Sequence, residues 1–352
     1  MPPSSSSRPG NLSLGGAPHV PPTITVSGVM QQVLLALVPA ILAHAWYFGP
    51  GIFFQIALAC GFALLFEWLM LRLRRRPVAV FLGDYSAVVT AVLFALCMPP
   101  LAPWWVAATG MLFAIVIAKQ LYGGLGFNMF NPAMVGFAAV IIAFPIELSH
   151  WLTPRSLSPG LPGLYDTAYA ILTGALPASQ SWDAISQATP LDSLRTGVQE
   201  GLRIPEIRNT AIFGDFGGLG WEWIANWYLV GGLWLLYRRV ISWHVPVAIL
   251  ASVFLIATPV WLIGPDINPS PLQHIFSGAL VMCALFIATD PVSGPATLRG
   301  KLVFGFGIAA LTLAIRRFGA YPDGVAFAVL LMNLCVPLID RYTVPRTYGH
   351  PK

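Results

Sequence analysis

Residues 183–192 (DAISQATPLD) place a hydroxyl side chain where it could carry a covalent phosphate ester. Thr189 precedes Pro190, and Asp192 follows two residues later. This Thr-Pro-x-Asp pattern is typical of a helix start, with threonine as N-cap and a carboxylate near the unpaired backbone amides. Those amides and the positive end of the helix dipole also favour a phosphate group. The spacing alone leaves two alternatives for Thr189, a simple helix cap and a covalently modified site.

The stretch lies in a long polar interruption, residues 149–215, of a very apolar chain. Of the 352 residues, 57% are hydrophobic and only 9% are charged, whereas soluble domains carry about a quarter charged residues. The apolar runs are long and contain Asn, Gly and Pro, which favours membrane helices over barrel strands. The composition therefore excludes a soluble enzyme and predicts an all-α polytopic membrane protein.

The net charge of +5 does not indicate a nucleic-acid partner. The basic residues cluster at the ends of apolar runs, as the positive-inside rule requires, so the expected surrounding is the lipid bilayer. The six histidines show no metal-ligand spacing, and we predict no metal site. Four cysteines lie in apolar stretches without a C-x-x-C pattern and are expected to be buried thiols: Cys60, Cys97, Cys283 and Cys335.

Ten apolar runs divide the chain, and we expect about ten transmembrane helices. Residues 1–24, rich in Ser, Pro and Gly, lack a signal-peptide pattern and are predicted to be a flexible cytoplasmic tail. The runs cover, approximately, residues 29–48, 52–71, 85–98, 104–121, 133–146, 219–237, 245–263, 275–289, 302–315 and 321–339.

The basic clusters predict the orientation of these runs. Four arginines within residues 72–76 and the pair Arg238-Arg239 each follow a run and mark cytoplasmic ends. Counting from them places residues 149–215 in the periplasm and both termini in the cytoplasm. The predicted organisation is a first membrane repeat over 25–148, the periplasmic loop over 149–215, a second repeat over 216–340 and a cytoplasmic tail over 341–352.

The two groups of five runs align with each other at an offset of about 190 residues. Ser86 then matches Ser277, and Pro100 matches Pro291. Because each group has an odd number of spans, the copies would be inverted across the membrane. In such folds, short interrupted runs in corresponding positions mark the functional centre, which here means the third and eighth runs and the entries to the fifth and tenth.

Several polar side chains lie within or beside the predicted spans, where they are costly. Glu67 and Lys119 lie near cytoplasmic ends and are expected to snorkel or to pair. Asp84 and Asp290 flank the interrupted runs and could bind a cation, contact a partner subunit or cap a helix. Asn131, before Pro132, is interpreted as a helix cap and turn.

Three stretches carry a resemblance to a known family. They are VPPTITVSGVMQQVLLALVPA (20–40), GDYSA (83–87) with the run that follows to Pro99-Pro100, and GGLGFNMFNPAMVG (123–136). They resemble the family of membrane-embedded D subunits of the Rnf electron-transport complex, which is similar to the B subunit of the sodium-pumping NADH:quinone oxidoreductase. The resemblance covers nearly the whole chain after residue 20.

The resemblance implies a ten-helix subunit in two inverted five-helix repeats, similar to urea transporters. It also implies FMN joined to Thr189 through a phosphoester installed by a flavin transferase, and a second, non-covalent flavin, riboflavin. The transferase motif is matched by Asp183, Ser186, Ala188 and Thr189, while Gln187 stands where glycine is usual. The implied partners are the other Rnf subunits, with electrons passing between ferredoxin and NAD in the inner membrane, coupled to Na⁺ or H⁺ movement.

The alternative function is a channel or transporter for a small solute with a urea-transporter-like fold. Interrupted helices in an inverted repeat fit both functions, but a channel has no use for a transferase motif in its outer loop. A further hypothesis concerns Arg316-Arg317, predicted on the same face as Thr189. These arginines either reach lipid phosphates, or one of them helps to hold the flavin or raises its potential.

Overall fold

A computed structural model describes residues 25–158, 160–178, 181–321 and 323–345. The described residues form helices and two isolated β-bridges, and no strand is named among them. The first-half helices are α1 (Val26–Phe48), α2 (Gly51–Leu73), α3 (Val78–Leu82), α4 (Ser86–Ala95), α5 (Trp104–Met111, continued by a π-helix over Leu112–Gln120), α6 (Pro132–Ala143) and α7 (Pro145–Ser149).

The remaining helices lie in the polar segment and the second half. The polar segment contains α8 (Leu164–Thr173), α9 (Trp182–Ile185), α10 (Pro190–Gln199) and α11 (Ile204–Arg208). The second half contains α12 (Trp221–Tyr237), α13 (His244–Ile263), α14 (Pro271–Phe276), α15 (Leu280–Met282, continued by a π-helix over Cys283–Ile287), α16 (Leu298–Phe318) and α17 (Val325–Thr343).

Five helices are long and apolar enough to cross a membrane: α1, α2, α13, α16 and α17. Three shorter apolar helices cover Ser86–Ala95, Trp104–Gln120 and Pro132–Ala143. Exposed leucines, valines and aromatic side chains are frequent on the long helices, as expected for surfaces that face lipid. The prediction of an all-α polytopic membrane protein is confirmed.

The predicted runs coincide with helices, except that the eighth is broken. The sequence predicts one segment over 275–289, whereas the structure begins α14 four residues earlier, at Pro271, with Ser270 as N-cap. The chain then leaves the helix at Gly278, where φ is +71°, a conformation that side chains other than glycine rarely adopt. The interruption creates free backbone groups in the interior, and neighbouring side chains satisfy some of them.

Two asparagines join the halves of the molecule through such backbone groups. The side chain of Asn131 donates to the carbonyl of Ile287, at the end of the second interrupted helix, at 3.2 Å. The Asn131 backbone amide donates to Asn333 Oδ1 at 3.1 Å, and Asn333 Nδ2 donates to the carbonyl of Ser293 at 2.9 Å. Because all of these groups are buried, the bonds fix how α6 and α17 meet the broken segment.

The polar segment is an ordered cap over one end of the helices. Leu194, Ile204 and Ile207 form a small apolar cluster of their own between α10 and α11. The amide of Ile204 donates to the carbonyl of Asp266 at 2.7 Å, which ties the segment to the end of α13. The basic residues that follow α2 and α12 lie at the opposite ends of the helices. There Arg74 donates hydrogen bonds to the backbone carbonyl and the side-chain oxygen of Gln120.

Candidate functional site

Thr189 is the N-cap of α10, as the sequence predicts. Its backbone is extended (φ −66°, ψ 158°), and its hydroxyl oxygen accepts a hydrogen bond from the amide of Asp192 at 3.2 Å. Pro190 occupies the first helical turn. The carboxylate of Asp192, however, accepts the Thr189 hydroxyl proton at 2.6 Å, whereas the sequence suggested that it would reach a backbone amide. The hydroxyl is therefore polarised by a carboxylate in contact with it.

The residues before Thr189 are held by a short antiparallel pairing with residues 151–153. The amide of Gln187 donates to the carbonyl of Trp151 at 2.9 Å, and the amide of Thr153 donates to the carbonyl of Ile185 at 2.9 Å. Gln187 does not adopt a positive φ, so its backbone in this fold has no need of glycine. Ser186 donates to the carbonyl of Trp182 at 2.7 Å, which closes the single turn α9.

A glycine seats the first turn of α10 against the membrane helices. A Cβ atom at Gly218 would collide with the ring of Pro190 and with the side chain of Trp221. Any larger residue would push α10 away from the start of α12. The position of Thr189 therefore depends on close contact with the second half, in addition to its own cap.

Thr189 lies at the edge of a cavity of about 170 Å³ between the two halves, which we call the threonine cavity. Its walls come from α1, α6, α12, the two interrupted helices and the start of α17. Trp151 and Trp221 lie edge to face, with ring centroids 4.6 Å apart. The chemically distinctive lining residues are His44, Cys97, Phe137, Trp151, Thr189, Asp192, Trp221, Tyr228 and Asp323.

His44 is an unusual member of this lining. It is 2% exposed, and neither ring nitrogen has a hydrogen-bond partner among the described residues. Its ring is near Phe48 and Trp151, at centroid distances of 5.2 Å and 6.4 Å. A buried polar group without a partner is costly, so this histidine marks a place where an absent molecule could provide a hydrogen bond.

Asp323 brings charge to the same cavity from the entry to α17. Its carboxylate accepts the amide of Ala279 at 2.8 Å and pairs with Arg316 at 3.2 Å. Arg316 also donates to the carbonyl of Ser277 at 3.0 Å. Arg316 and Arg317 line a different, larger cavity, so neither contacts the threonine cavity directly. The hypothesis that one of them acts on a flavin stays a prediction, with Asp323 as the connecting group.

At the helix ends opposite Thr189, the first half of the molecule contains a pair of buried charges. Lys119 donates to Glu67 at 2.6 Å and to the hydroxyl of Ser86 at 2.7 Å, and both charged side chains are almost fully buried. Pairing, one of the two expectations for these residues, is confirmed. The Asp84 carboxylate accepts hydrogen bonds from the amide and the hydroxyl of Ser86, and it thereby caps the start of α4.

Asp290 and Asn131 also have capping contacts. Asp290 accepts the amide of Val292 at 3.1 Å and the hydroxyl of Ser293 at 2.7 Å. Burial raises the pKa of Asp290, against the lowering effect of these hydrogen bonds. Asn131 accepts the amide of Met134 at 3.2 Å, so the predicted cap and turn is confirmed.

The sequence did not indicate His44, Trp151, Trp221 or Asp323 as site residues. They are distant from Thr189 along the chain and come together only when the two halves pack. Asp323 alone had a signal, because it lies at the entry to the tenth run, which the alignment of the halves marks as a functional position.

Comparison with known proteins gives a consistent result. The sequence profile described as the NQR2, RnfD, RnfE family matches residues 13–349. A protein of Aeromonas salmonicida, named as the D subunit of an ion-translocating oxidoreductase complex, is 48% identical over 345 residues, covering 96% of this chain and 99% of that protein. A protein of the same name from Escherichia fergusonii is 47% identical over 347 residues, covering 96% and 99%.

Both the profile match and these identities extend over nearly the full length, including the segment that carries Thr189. The predicted family is thereby confirmed, and the several apolar helices agree with a multi-pass membrane protein. This chain belongs to the NQR2, RnfD, RnfE family.

Proposed function

We propose that this chain is the flavin-carrying D subunit of an Rnf-type ion-translocating oxidoreductase complex. In that complex it would relay electrons between ferredoxin and NAD, coupled to transport of Na⁺ or H⁺. The names of its relatives support the assignment to such a complex. The observation that carries the flavin assignment is the half-buried Thr189 hydroxyl, polarised by Asp192 at the edge of an aromatic cavity.

The residues around Thr189 fit FMN bound through its phosphate. The hydroxyl lies at the first turn of α10, where the helix dipole favours a phosphate. Trp151 and Trp221 offer aromatic surface, and the unpartnered nitrogens of His44 offer hydrogen bonding inside the cavity. The cavity is smaller than the roughly 300 Å³ of ordinary ligand sites, so part of the group would extend outward.

A bound flavin supplies the redox chemistry, while the protein provides position and electrostatics. Forming the phosphoester requires the loss of the Thr189 proton, and the Asp192 carboxylate that already accepts this hydrogen bond could receive it. A flavin transferase would recognise Asp183, Ser186 and Ala188 before the threonine. Riboflavin is proposed as the second, non-covalent flavin of the subunit.

We also propose ten membrane spans in two inverted five-helix repeats of the urea-transporter type. The order of the helices along the chain supports it, with α4 and the α14–α15 segment as the shortened third and eighth spans. The two halves share a local feature as well. Lys119 contacts Ser86 at the start of α4, and Arg316 contacts Ser277 at the break between α14 and α15.

The proposed orientation places Thr189 in the periplasm and both termini in the cytoplasm of a bacterial inner membrane. A cysteine introduced at Thr196, exposed on α10, should react with a membrane-impermeant thiol reagent in intact spheroplasts. A cysteine at Arg239, beyond α12, is the matched control and should react only after lysis. The reverse pattern would show that the orientation is inverted.

Flavin attachment can be tested on a denaturing gel under ultraviolet light. The parent chain should fluoresce, because a phosphoester survives unfolding, and Thr189→Val should abolish the signal. Thr196→Val changes an exposed threonine further along α10 and should stay fluorescent. A fluorescent Thr189→Val band would sink the assignment of the residue.

The channel alternative is less well supported by the interior of the protein. The threonine cavity and a cavity of about 110 Å³ beside Lys119 lie toward opposite faces, and they share no lining residue. Phe94 and Ala284, which are fully buried and line neither cavity, belong to the hydrophobic core. Loss of the subunit should abolish ferredoxin-linked NAD reduction in membranes. Survival of that activity with loss of neutral-solute uptake would favour the channel.

A further inference from the structure

A second cavity, larger than the one at Thr189, is separate from it. It encloses about 680 Å³ between α10, α13, α14 and α16, and we call it the arginine cavity. Helix α10 divides the two cavities, and Leu191 lines both. The flavin proposal uses none of its other residues except Arg316, through Asp323.

One end of the arginine cavity is basic. Its lining includes Arg195, Arg316 and Arg317 and contains no carboxylate. Arg195 donates to the carbonyl of Ala320, and Arg316 is bound to Asp323. Arg317 is exposed and has no partner among the described residues. An anion at this end would therefore meet a cation whose donors are free, with two more cations nearby.

One side of the wall is apolar and continuous with the lipid-facing surface. Ile256, Val260 and Leu313 line the cavity along α13 and α16. Val260 is 47% exposed, and Ile263 and Phe318, at the ends of these two helices, are 88% and 86% exposed. A long hydrocarbon chain could pass from the bilayer along α13 into the cavity without crossing a polar barrier.

A buried amide points to a missing molecule at this site. Gln273 is 2% exposed and lines the cavity, yet neither its side-chain oxygen nor its nitrogen has a partner among the described residues. Two unpaired amide atoms at such depth are costly and call for a polar ligand that reaches them. Glycerol hydroxyls or ester oxygens have the donors and acceptors to do so.

We propose that the arginine cavity binds one anionic phospholipid. Its phosphate contacts Arg317 and Arg195, its glycerol or ester oxygens approach Gln273, and an acyl chain packs along Ile256, Val260 and Leu313. The basic end selects an anion, and the apolar wall selects an amphiphile over free phosphate. The bound lipid would pack against the face of α10 opposite the threonine cavity and so support the helix that Thr189 caps.

The test is native mass spectrometry of the full-length chain within its membrane complex, purified in detergent and supplied with phosphatidylglycerol or phosphatidylcholine. One phosphatidylglycerol should stay bound under conditions that remove phosphatidylcholine. Arg317→Gln should weaken this retention about tenfold, as expected for loss of one charged hydrogen bond. The control is Arg203→Gln. This arginine is exposed and lies in the polar segment, outside the cavity, so its loss should not change the retention of phosphatidylglycerol.

A second pair of variants keeps the charges and fills the cavity. Ala314→Phe adds a ring at an exposed position of α16 that lines the cavity, and it should displace the lipid. Leu255→Phe, on the lipid-facing surface of α13 outside the cavity, should not. Equal retention in the parent, Arg317→Gln and Ala314→Phe proteins would overturn the proposal, as would equal retention of the two lipids. Retention of inorganic phosphate by a protein that retains no phosphatidylglycerol would overturn it too, because it would show an anion site without a place for the acyl chain.

Discussion

The two halves of the molecule solve a similar problem with different charges. In the first half Lys119 contacts Ser86, which begins one interrupted helix, and its counterion is Glu67 on α2. In the second half Arg316 donates to the carbonyl of Ser277, the residue that follows α14 at the interruption, and its counterion is Asp323. Lys119 bonds a side-chain hydroxyl at the first residue of α4, whereas Arg316 bonds a backbone carbonyl just past the end of α14.

The difference lies in what the counterion faces. Glu67 is 1% exposed and ends in a closed network with Lys119 and Gln120. Asp323 is 26% exposed and lines the threonine cavity. The counterion in the first half thus serves the fold, and the one in the second half, on our proposal, also serves the cofactor. The first cluster should act on stability, and the second on flavin properties as well.

The largest effect is expected from Lys119→Met. The substitution leaves Glu67 buried without its cation, and breaking such a pair costs about 3–5 kcal/mol. Thermal unfolding in detergent should show a large loss of stability. The double variant Glu67→Gln with Lys119→Met should recover most of it, because no charge then remains buried. A single variant as stable as the double would mean that the pair contributes little to the fold.

A smaller, different effect is expected from Arg316→Gln. Asp323 would keep its charge beside the cavity without the arginine that balances it, which disfavours an anionic reduced flavin. The flavin midpoint potential should fall by about 30 mV, equivalent to about 1.4 kcal/mol for a two-electron couple. Redox titration of the purified complex measures this change.

The neighbouring Arg317 provides the matched control for that experiment. It does not contact Asp323 in the ion-pair geometry of Arg316, so Arg317→Gln should leave the potential unchanged. Equal shifts in both variants would indicate a long-range charge effect. If neither variant changed the flavin potential or the extent of flavin attachment, both arginines would be assigned to contacts with lipid phosphates.

A feature of either half can be predicted from the sequence when it depends on residues that lie close together along the chain. The cap at Thr189 and the cap at Asn131 depend on residues within one helical turn, and both were predictable. The long helices followed from the length of the apolar runs. The sequence predicted that Lys119 would snorkel or pair, but it did not identify the partner. Glu67 is distant along the chain and meets Lys119 only through the packing of α2 on the fourth span.

The threonine cavity could not be predicted in the same way. His44, Trp151 and Asp323 come from the first helix, the polar segment and the last helix entry, and no periodic pattern connects them. The short eighth run contains a glycine, which favours a break, but the sequence does not indicate what packs against Gly278. A Cβ there would collide with Asp323 and Leu191, so the glycine allows the entry to α17 and the start of α10 to approach the break.

The smallest effect on stability is expected from His44→Leu. Its two nitrogens have no partner among the described residues, so an apolar side chain of similar size should leave the stability unchanged or slightly higher. If a flavin takes the hydrogen bond, its absorption spectrum and potential should change. His244→Leu, at the start of α13 on the opposite face, should leave the flavin unaffected. A marked loss of stability with an unchanged flavin would assign His44 to the fold.

The central claim is that Thr189 carries FMN, and the mass of one peptide tests it most directly. Trypsin releases residues 156–195 as a single fragment, because no lysine or arginine lies between Arg155 and Arg195. This fragment from the membrane-purified chain should carry the added mass of FMN less one water, with fragmentation assigning the addition to Thr189. An unmodified fragment from a preparation whose complex is active, or an addition on Ser186, would contradict it.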